Sequence, residues 1–393
     1  MKILFLSFYY PPDLCAGSFR AQSLIEALKK QDKISEIDIL TTIPNRYKSF
    51  TKKSSEIESD DTIKIRRIEL PKHKSGMLDQ SRAFLKFFLN VLMFIRGKDY
   101  DMVFATSSRL MTAFLGAYIS SKIRKPLYLD IRDIFTDTMS DILSNKFSFL
   151  INPILNYIEN ITIRKAVHIN LVSAGFSQYF KQKYPRKKYS FYSNGIDDLF
   201  LKNLDNKIPV KNSKIIILYA GNIGEGQGLN DFLPTFAHET KDKYHYRIIG
   251  DGGKRKSLEE NLKLKGVRNV DLVDPIERSE LLIEYKKADI LFLHLNNHKA
   301  FKKVLPSKIF EYAATGKPIL AGVSGFSAEF LNTYVKNCAV FEPCNLNQAF
   351  NSLKMLELRR TDRNSFIEEF SRSKIMNEMA VSIVSVSFAN SIR

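Results

Sequence analysis

The sequence predicts an α/β protein made of two doubly wound domains, on three observations. The chain has 393 residues, which is more than one hydrophobic core usually supports. Short apolar segments alternate with helix-like segments, as in parallel sheets that helices cover on both faces. The alternation stops in a turn-rich stretch at 192–213 and then begins again. We therefore expect two sheets in tandem, facing a central cleft at the carboxyl ends of their strands.

The first predicted domain covers residues 1–195, and a terminal helix at 373–393 is expected to pack back on it. Its predicted strands are the apolar segments at 2–8, 36–42, 63–70, 101–107, 126–133 and 167–173. Its predicted helices lie at 21–30, 81–98, 110–124, 147–165 and 175–185, and residues 46–62 are expected to form a loop.

The second predicted domain covers residues 196–372 and repeats the pattern. Its strands are expected at 214–221, 246–253, 269–275, 288–295 and 317–323. A helix is expected at 306–315, because Pro306 suits the first helical position and Gly316 suits the C-terminal cap.

Three residues of that helix, Ser307, Lys308 and Glu311, share one face, since residues three and four apart are neighbours on a helix. The free N–H groups at the helix start and the charge of Lys308 favour an anion such as a diphosphate. Glu311, one turn later, could accept hydrogen bonds from a diol such as ribose. The alternative is an ordinary capped surface helix with an exposed Lys–Glu pair.

Two glycine-rich loops follow strands of the second domain. The first, YAGNIGEGQGLND at 219–231, contains Gly221, Gly224, Gly226 and Gly228, and the second, IIGDGGKRKSLEE at 248–260, contains the turn 250–253. Glycine lets a backbone approach a phosphate closely. The first loop matches neither a P-loop nor a dinucleotide fingerprint. They indicate a nucleotide site, unless they are plain strand–helix turns.

Two segments of the first domain are further candidates. PPDLCAGSFR at 11–20 places Gly17 and Ser18 at a helix entrance, and LYLDIRDIFTD at 127–137 places Asp130, Arg132 and Asp133 at a strand end. The functional interpretation is a catalytic cluster at the cleft. The structural interpretation, equally open, is an ion pair.

Several kinds of site are not recognisable in the sequence. No DxD pair of metal-dependent sugar transferases follows a strand, and no Ser-His-Asp or Cys-His arrangement is evident. The three cysteines lack zinc spacing and are expected to be buried thiols in a reducing compartment. We therefore expect neither a metal nor a cofactor. The apolar N-terminus predicts a first strand rather than a signal peptide, and no segment predicts a transmembrane helix.

Taken together, the motifs FYYPPDLCAGSFRAQSLIEAL, DIRDIFTD, SNGID, YAGNIGEGQGL, IGDGG and LPSKIFEYAATGKPIL resemble those of retaining GT-B glycosyltransferases of family 4. The similarity covers nearly the whole chain, which looks like the WbuB-like amino-sugar transferases of bacterial O-antigen and capsule synthesis. It implies two Rossmann-like domains and transfer of a sugar from a nucleotide-sugar donor, with UDP as the expected nucleotide. It also implies a metal-independent reaction.

The resemblance implies a role for individual residues. Glu311 would hold the ribose, Pro306, Ser307 and Lys308 would lie against the diphosphate, and Gly17 with Ser18 would approach the donor from the first loop. The nucleoside would lie against Gly250, Asp251 and Gly252. The sequence departs from the family where an Arg and a Lys usually grip the diphosphate, since Asn222 and Gln227 stand there. Lys303 stands where the family has a first glutamate.

The charge of the chain points to an anionic partner. The formal net charge is +18, and residues 1–195 hold 31 Lys and Arg against 18 Asp and Glu, a net of +13. The resemblance implies a polyprenyl-diphosphate-linked acceptor at the inner face of the cytoplasmic membrane. The expected membrane or acceptor contacts are Arg82, Lys86, Arg96, Lys181, Lys183, Arg186, Lys187 and Lys188. The alternative for helix 81–98 is complete burial against the sheet.

Two other functions fit parts of the sequence. A nucleotide-sugar 2-epimerase would share the fold and need no acceptor. A nucleic-acid-binding protein would explain the charge, but no binding motif of that class is recognisable. We therefore expect a nucleotide-sugar donor, a lipid-linked acceptor and an anionic membrane surface as partners, and no nucleic acid.

Overall fold

A computed structural model of the chain describes residues 1–44, 54–71, 77–107, 110–134, 145–201 and 214–391. It divides into two compact units. Unit 1 comprises Met1–Asn194 and Ser373–Arg393, and unit 2 comprises Gly195–Arg372. Most of the polar stretch expected at the domain boundary, residues 202–213, lies outside the described residues.

Unit 1 is built on a largely parallel sheet. Its strands are β1 (Lys2–Leu6), β2 (Glu36–Thr42), β3 (Ile57–Ser59), β4 (Ile63–Ile68), β5 (Met102–Thr106), β6 (Leu127–Ile131), β7 (His168–Leu171) and β8 (Tyr189–Ser190). They lie in the order β3-β4-β2-β1-β5-β6-β7-β8, and only the β3–β4 pair is antiparallel among the described strands. Burial on both faces explains why the central strands read as continuous apolar runs.

Helices cover both faces of this sheet. They are α1 (Ala16–Lys29), α2 (Met77–Phe94), α3 (Leu110–Ile123), α4 (Asn145–Lys165), α5 (Ser177–Lys183) and a terminal helix (Arg372–Ser391). Helix α3 contacts both α2 and α4. Crossovers between parallel strands are right-handed as a rule, so the strand order places α1 on one face and α2, α3 and α4 on the other. The terminal helix lies on the α1 face, where Met376 and Met379 pack in one cluster with Phe5 and Leu24.

Unit 2 contains a second parallel sheet. Its strands are β9 (Ile215–Ala220), β10 (Tyr244–Ile249), β11 (Val270–Val273), β12 (Ile290–His294), β13 (Ile319–Gly322) and β14 (Cys338–Phe341), in the order β11-β10-β9-β12-β13-β14. Its helices are α6 (Asp198–Leu201), α7 (Leu229–Glu239), α8 (Arg255–Leu264), α9 (Arg278–Lys287), α10 (Lys308–Ala314), α11 (Phe326–Tyr334), α12 (Leu346–Met355) and α13 (Asn364–Glu369). The strand order reverses between β9 and β12, and ligands bind at such a switch point in doubly wound sheets.

The structure corrects several predicted elements. The predicted loop at 46–62 contains β3, whose three residues are exposed and so carry no burial signal. The predicted helix at 81–98 begins earlier, at Met77. Helix α10 begins at Lys308 rather than Pro306, because Pro306 first closes a turn in which its carbonyl accepts from the Ile309 N–H at 3.1 Å. Strand β14 was not predicted.

In the part of the chain that the structure describes, no helix is both long and apolar enough to cross a bilayer.

Candidate functional site

The two glycine loops of unit 2 meet at the carboxyl ends of β9 and β10. Gly221 follows β9 and Gly250 follows β10, both with φ of 149°. A Cβ on Gly250 would overlap the Gly221 carbonyl, so the two backbones pack directly against each other. The Gly221 N–H also donates to the Ile249 carbonyl at 2.8 Å. Glycine is therefore required here by backbone conformation and by close approach.

The first glycine loop is braced by its own amide side chains. Asn222 Nδ2 donates to Gln227 Oε1 at 2.7 Å, and the Gly224 N–H donates to the same oxygen at 3.2 Å. Gly228, with φ of 60°, ends the following turn and begins α7. Asn222 and Gln227, which were predicted to bind the donor, thus hold the loop in shape.

The second glycine loop is held by a neighbouring arginine and an aspartate. The guanidinium of Arg255 donates to the carbonyls of Gly250 and, at 3.0 Å, Val273. Asp251 Oδ1 accepts from the Gly252 N–H at 2.7 Å. The predicted nucleoside contacts thus form a braced turn beside the first loop.

Lys308 lies at the start of α10 and reaches the first glycine loop. A Cβ on Gly221 would overlap its Nζ, and that nitrogen lies 5.8 Å from the centre of the Tyr219 ring. Burial lowers the pKa of Lys308, and the negative charge of Glu311 opposes this shift. Within the described ranges the ammonium has no ion-pair partner. A desolvated cation beside a glycine backbone is an arrangement suited to an anionic ligand.

Glu311 lies in the first turn of α10. Its Oε2 accepts a hydrogen bond from the Tyr285 hydroxyl at 3.2 Å. Tyr285 is buried, and desolvation together with the charge of Glu311 raises its pKa well above the usual value. In the described part of the chain Glu311 Oε1 has no protein donor. One carboxylate oxygen is therefore fixed while the other can accept from a ligand hydroxyl.

The remaining predicted residues of this region lie around α10. Ser307 caps the helix without a side-chain hydrogen bond. Lys303 ends a turn of 3₁₀ helix at Lys299–Lys303 and is half-buried. The Ala220 N–H donates to the Tyr312 hydroxyl at 3.1 Å, which fixes α10 to the end of β9. This contact was missed, because an apolar helix face predicts packing but not a hydroxyl partner.

His294, the last residue of β12, anchors the first glycine loop. Its Nδ1 donates to the Gln227 carbonyl at 2.7 Å, and its Nε2 accepts from the Cys344 N–H at 3.2 Å. Burial lowers the pKa of His294 to about 4, so the ring is neutral. Its two partners lie 67 and 50 positions away in the sequence, so sequence spacing does not reveal this role. Cys344 is exposed, contrary to the expectation of buried thiols, because it lies in a turn with φ of 63°.

The predicted catalytic cluster of unit 1 is dominated by a buried ion pair. Arg20 Nε and Nη2 donate to the two oxygens of Asp130, each at 2.9 Å. Asn170 Nδ2 donates to Asp130 Oδ1 at 2.8 Å, and Arg20 Nη2 also donates to the Tyr192 carbonyl at 2.8 Å. Both oxygens of Asp130 are therefore engaged, which favours the structural interpretation over the catalytic one.

The other candidates of unit 1 surround this pair. Arg132 donates its backbone N–H to Ser107 Oγ at 2.9 Å, and burial lowers the pKa of its guanidinium. Asp133 follows it and is half-buried. Gly17 and Ser18 are buried in the first turn of α1, where Ser18 Oγ has no partner among the described residues. Residues 135–137 of the predicted motif lie outside the described residues.

Two of the predicted membrane cations are used by the fold. Lys183 Nζ contacts the buried Glu159 at 2.7 Å, and Lys187 Nζ donates to the Ala166 carbonyl at 2.7 Å. The side chains that stay exposed are those of Arg82, Lys86, Arg96, Lys181, Arg186 and Lys188. The prediction for Lys183 and Lys187 is therefore corrected, because their ammonium groups brace α4 and α5.

The described residues contain no group of three or more His, Cys, Asp or Glu side chains that could hold a metal ion.

Comparison with known proteins gives one family and a set of relatives. Residues 202–372 match the family described as Glycosyl transferases group 1. A segment of 121 residues, 31% of this chain, is 31% identical to the putative colanic acid biosynthesis glycosyl transferase WcaI of Escherichia coli strain K12. That segment spans 30% of the relative's length.

Solved structures match the whole fold. The trehalose 6-phosphate synthase of Burkholderia multivorans matches with a TM-score of 0.70 and 11% identity, covering 100% of this chain and 98% of that one. Anabaena HepE in complex with UDP-glucose matches with a TM-score of 0.64 and 15% identity, covering 98% and 99%. The lipopolysaccharide glycosyltransferase WaaG matches with a TM-score of 0.61 and 12% identity, covering 96% and 95%. These matches confirm the GT-B fold class.

Proposed function

We propose that this protein is a glycosyltransferase of surface-polysaccharide or lipopolysaccharide synthesis, with its donor site in unit 2. The observation that carries the proposal is the arrangement of Lys308 and Glu311 at the switch point of the sheet. Among the residues that the structure describes, the Lys308 ammonium has no ion-pair partner and lies against Gly221. One turn away, Glu311 Oε1 accepts from no donor in the same described part of the chain. The unit that holds them matches Glycosyl transferases group 1.

The donor in this proposal is a nucleotide-sugar, with UDP as its nucleotide. Lys308 neutralises the diphosphate as the Gly221 backbone approaches it, and Glu311 accepts from the ribose hydroxyls. HepE, which shares the fold, binds UDP and UDP-glucose. The resemblance to WbuB-like enzymes favours an N-acetylated amino or deoxyamino sugar as the group transferred.

The proposed reaction retains the configuration of the sugar and uses no metal. The bond from the anomeric carbon to the diphosphate breaks, and the acceptor oxygen forms its bond on the same face. The acceptor proton passes to the departing diphosphate. Lys308 stabilises the charge that develops on this leaving group, which is the kind of electrostatic contribution that often dominates catalysis.

The proposed acceptor is a sugar carried on a polyprenyl diphosphate. The resemblance to WbuB-like transferases implies an acceptor of this class. Two similar proteins, WcaI and WaaG, are described as glycosyltransferases of colanic acid and of lipopolysaccharide biosynthesis. The protein would then associate peripherally with the inner face of the cytoplasmic membrane, as its basic first half suggests. Nucleic acid is not an expected partner.

The test is a screen of nucleotide-sugars against a lipid-linked acceptor, with mass-spectrometric detection of the glycosylated lipid. UDP affinity is measured beside it, on the native chain and on Glu311→Ala. We expect Glu311→Ala to lose nucleotide affinity with the fold intact, and Glu260→Ala on the exposed side of α8 to keep it.

Other results would contradict the proposal. Unchanged nucleotide affinity in Glu311→Ala would refute the ribose role. Epimerised donor formed without acceptor would indicate a 2-epimerase instead. A thermal shift with DNA or RNA but with no nucleotide would indicate a nucleic-acid-binding protein.

A further inference from the structure

Exposed apolar side chains are concentrated on the helices of one face of unit 1. Sixteen large hydrophobic residues are exposed in the described part of the chain, and seven of them lie on α2, α3 and α4. Large exposed apolar areas in soluble proteins commonly mark contact surfaces.

Helix α2 presents three of these residues as a stripe. Leu85, Leu89 and Met93 are 57%, 57% and 53% exposed, and their spacing of four places them on one side of the helix. The opposite side is buried, with Phe87 and Val91 in the core. The helix is thus apolar on both sides, and the sheet covers only one of them.

Helix α4 presents a second stripe. Ile154, Tyr157 and Ile161 are 61%, 66% and 39% exposed, at spacings of three and four. Helix α3 lies between the two, since it packs on α4 and its exposed Tyr118 lies 5.5 Å, centre to centre, from the Phe88 ring of α2. The two stripes and Tyr118 form one surface, which we call the α2–α4 face.

The charged residues of these three helices are mostly positive. In the sequence of the three helices six residues are Lys or Arg and two, Asp79 and Glu159, are acidic. Glu159 is buried and bonded to Lys183 and Tyr184. Arg82 and Lys86 are exposed at helical spacing from Leu85 and Leu89, so cations flank the apolar stripe directly.

We propose that the α2–α4 face docks on a bilayer that contains anionic lipid. Interfacial helices bury apolar side chains in the boundary between headgroups and acyl chains, and their Lys and Arg side chains contact anionic headgroups. Tyr side chains are enriched at the same membrane–water interface. A second copy of the chain fits less well. A two-fold interface would set like charges against each other, and lysine is depleted at protein interfaces.

This inference rests on the proposed function in one respect: the lipid-linked acceptor gives the protein a reason to dock on a membrane. It names the surface by which the protein reaches that acceptor.

The test is co-sedimentation of the full chain with vesicles, one set of phosphatidylglycerol and phosphatidylethanolamine and one of phosphatidylcholine alone. We expect binding to the anionic set. Leu89→Asp should weaken it about tenfold, because an apolar anchor is replaced by a repelled charge. Lys86→Glu should weaken it at least about fivefold, and only on the anionic vesicles.

Matched controls lie on α8 of unit 2. Leu264 is 84% exposed and Lys256 is exposed on the same helix, so Leu264→Asp and Lys256→Glu should bind vesicles like the native chain. Far-UV circular dichroism and UDP affinity check that every variant is folded.

Two results would overturn the docking surface. One is equal vesicle binding by Leu89→Asp, Leu264→Asp and the native chain. The other is absence of vesicle binding together with a dimer in sedimentation equilibrium that Leu89→Asp dissociates, which would assign the face to a second copy. A third result would separate the two proposals. If the native chain binds vesicles but no nucleotide, and Leu89→Asp loses the vesicle binding, the docking surface is upheld and the proposed donor site is refuted.

Discussion

The carboxyl ends of the two sheets use charged residues in opposite ways. In unit 1 the guanidinium of Arg20 forms an ion pair with the carboxylate of Asp130, and Asn170 donates a further hydrogen bond to that carboxylate. In unit 2 the ammonium of Lys308 lies against Gly221 with no ion-pair partner in the described ranges. Leaving a partly buried cation unpaired has an energetic cost, and a ligand that pairs with it removes that cost. The difference indicates that charge is structural at the first edge and ligand-directed at the second.

The largest expected effect concerns the buried ion pair of unit 1, whose role is structural. Arg20→Leu should destabilise the protein by about 3–5 kcal/mol, because it leaves the Asp130 carboxylate buried and unpaired. Urea unfolding followed by far-UV circular dichroism measures the change. The double variant Arg20→Leu, Asp130→Leu should recover part of the loss, since no buried charge is then left alone. A single variant within about 0.5 kcal/mol of the native chain would rule out the structural role.

The second prediction concerns the neutral anchor of the glycine loop, His294. Its native pKa is about 4, below the ordinary 6.5. The unfolded chain therefore binds a proton that the native ring excludes. Stability should be fully present above about pH 6.5 and should fall by up to about 3 kcal/mol as the pH drops through 4. His294→Asn should flatten this pH dependence. Identical pH profiles for native chain and His294→Asn would contradict the assignment.

The third prediction concerns Lys308, the cation of unit 2 that is expected to bind a ligand. Lys308→Met should weaken UDP binding about 10–100-fold, since a charged hydrogen-bonding group is lost, while stability at neutral pH is unchanged or higher. Because the native pKa of Lys308 is lowered, the native chain should gain stability relative to Lys308→Met as the pH rises towards 10.5, the ordinary value. Calorimetric titration and urea unfolding measure the two effects, with exposed Lys256→Met as the control. Weaker UDP binding accompanied by an equal loss of stability would assign Lys308 to the fold instead.

The smallest expected effect sharpens the role of Glu311. Tyr285→Phe removes the hydroxyl that holds Glu311 Oε2, and UDP affinity should fall about two- to tenfold. Tyr246→Phe removes a buried hydroxyl bonded to Thr240 at 2.7 Å and should leave affinity unchanged. Equal affinities in both variants would show that Glu311 needs no positioning by Tyr285.

Sequence spacing predicted the positions of residues within one strand or helix better than the contacts between residues of different elements. The apolar runs located β1, β2 and β9, and the i, i+3 spacing placed Lys308 and Glu311 together on α10. The pair Arg20–Asp130 joins residues 110 positions apart, and Asn222 bonds Gln227 only because the loop folds back. Such contacts depend on tertiary geometry, which periodicity does not contain. The exposed stripe of α2 was equally hidden, since an all-apolar helix does not reveal which side the sheet covers.

The terminal helix has a consequence for synthesis. Ile375, Met376, Met379 and Ile383 complete the apolar cluster on one face of the first sheet, yet they leave the ribosome only after the whole of unit 2. Unit 2 is continuous in sequence and can fold as soon as it emerges, whereas unit 1, begun first, waits for the helix that follows unit 2. Throughout elongation its sheet keeps an uncovered apolar face, which is the exposure that chaperones bind and that favours aggregation. A truncation that removes residues 373–391 would thus damage unit 1 rather than unit 2, which is the unit beside it in sequence.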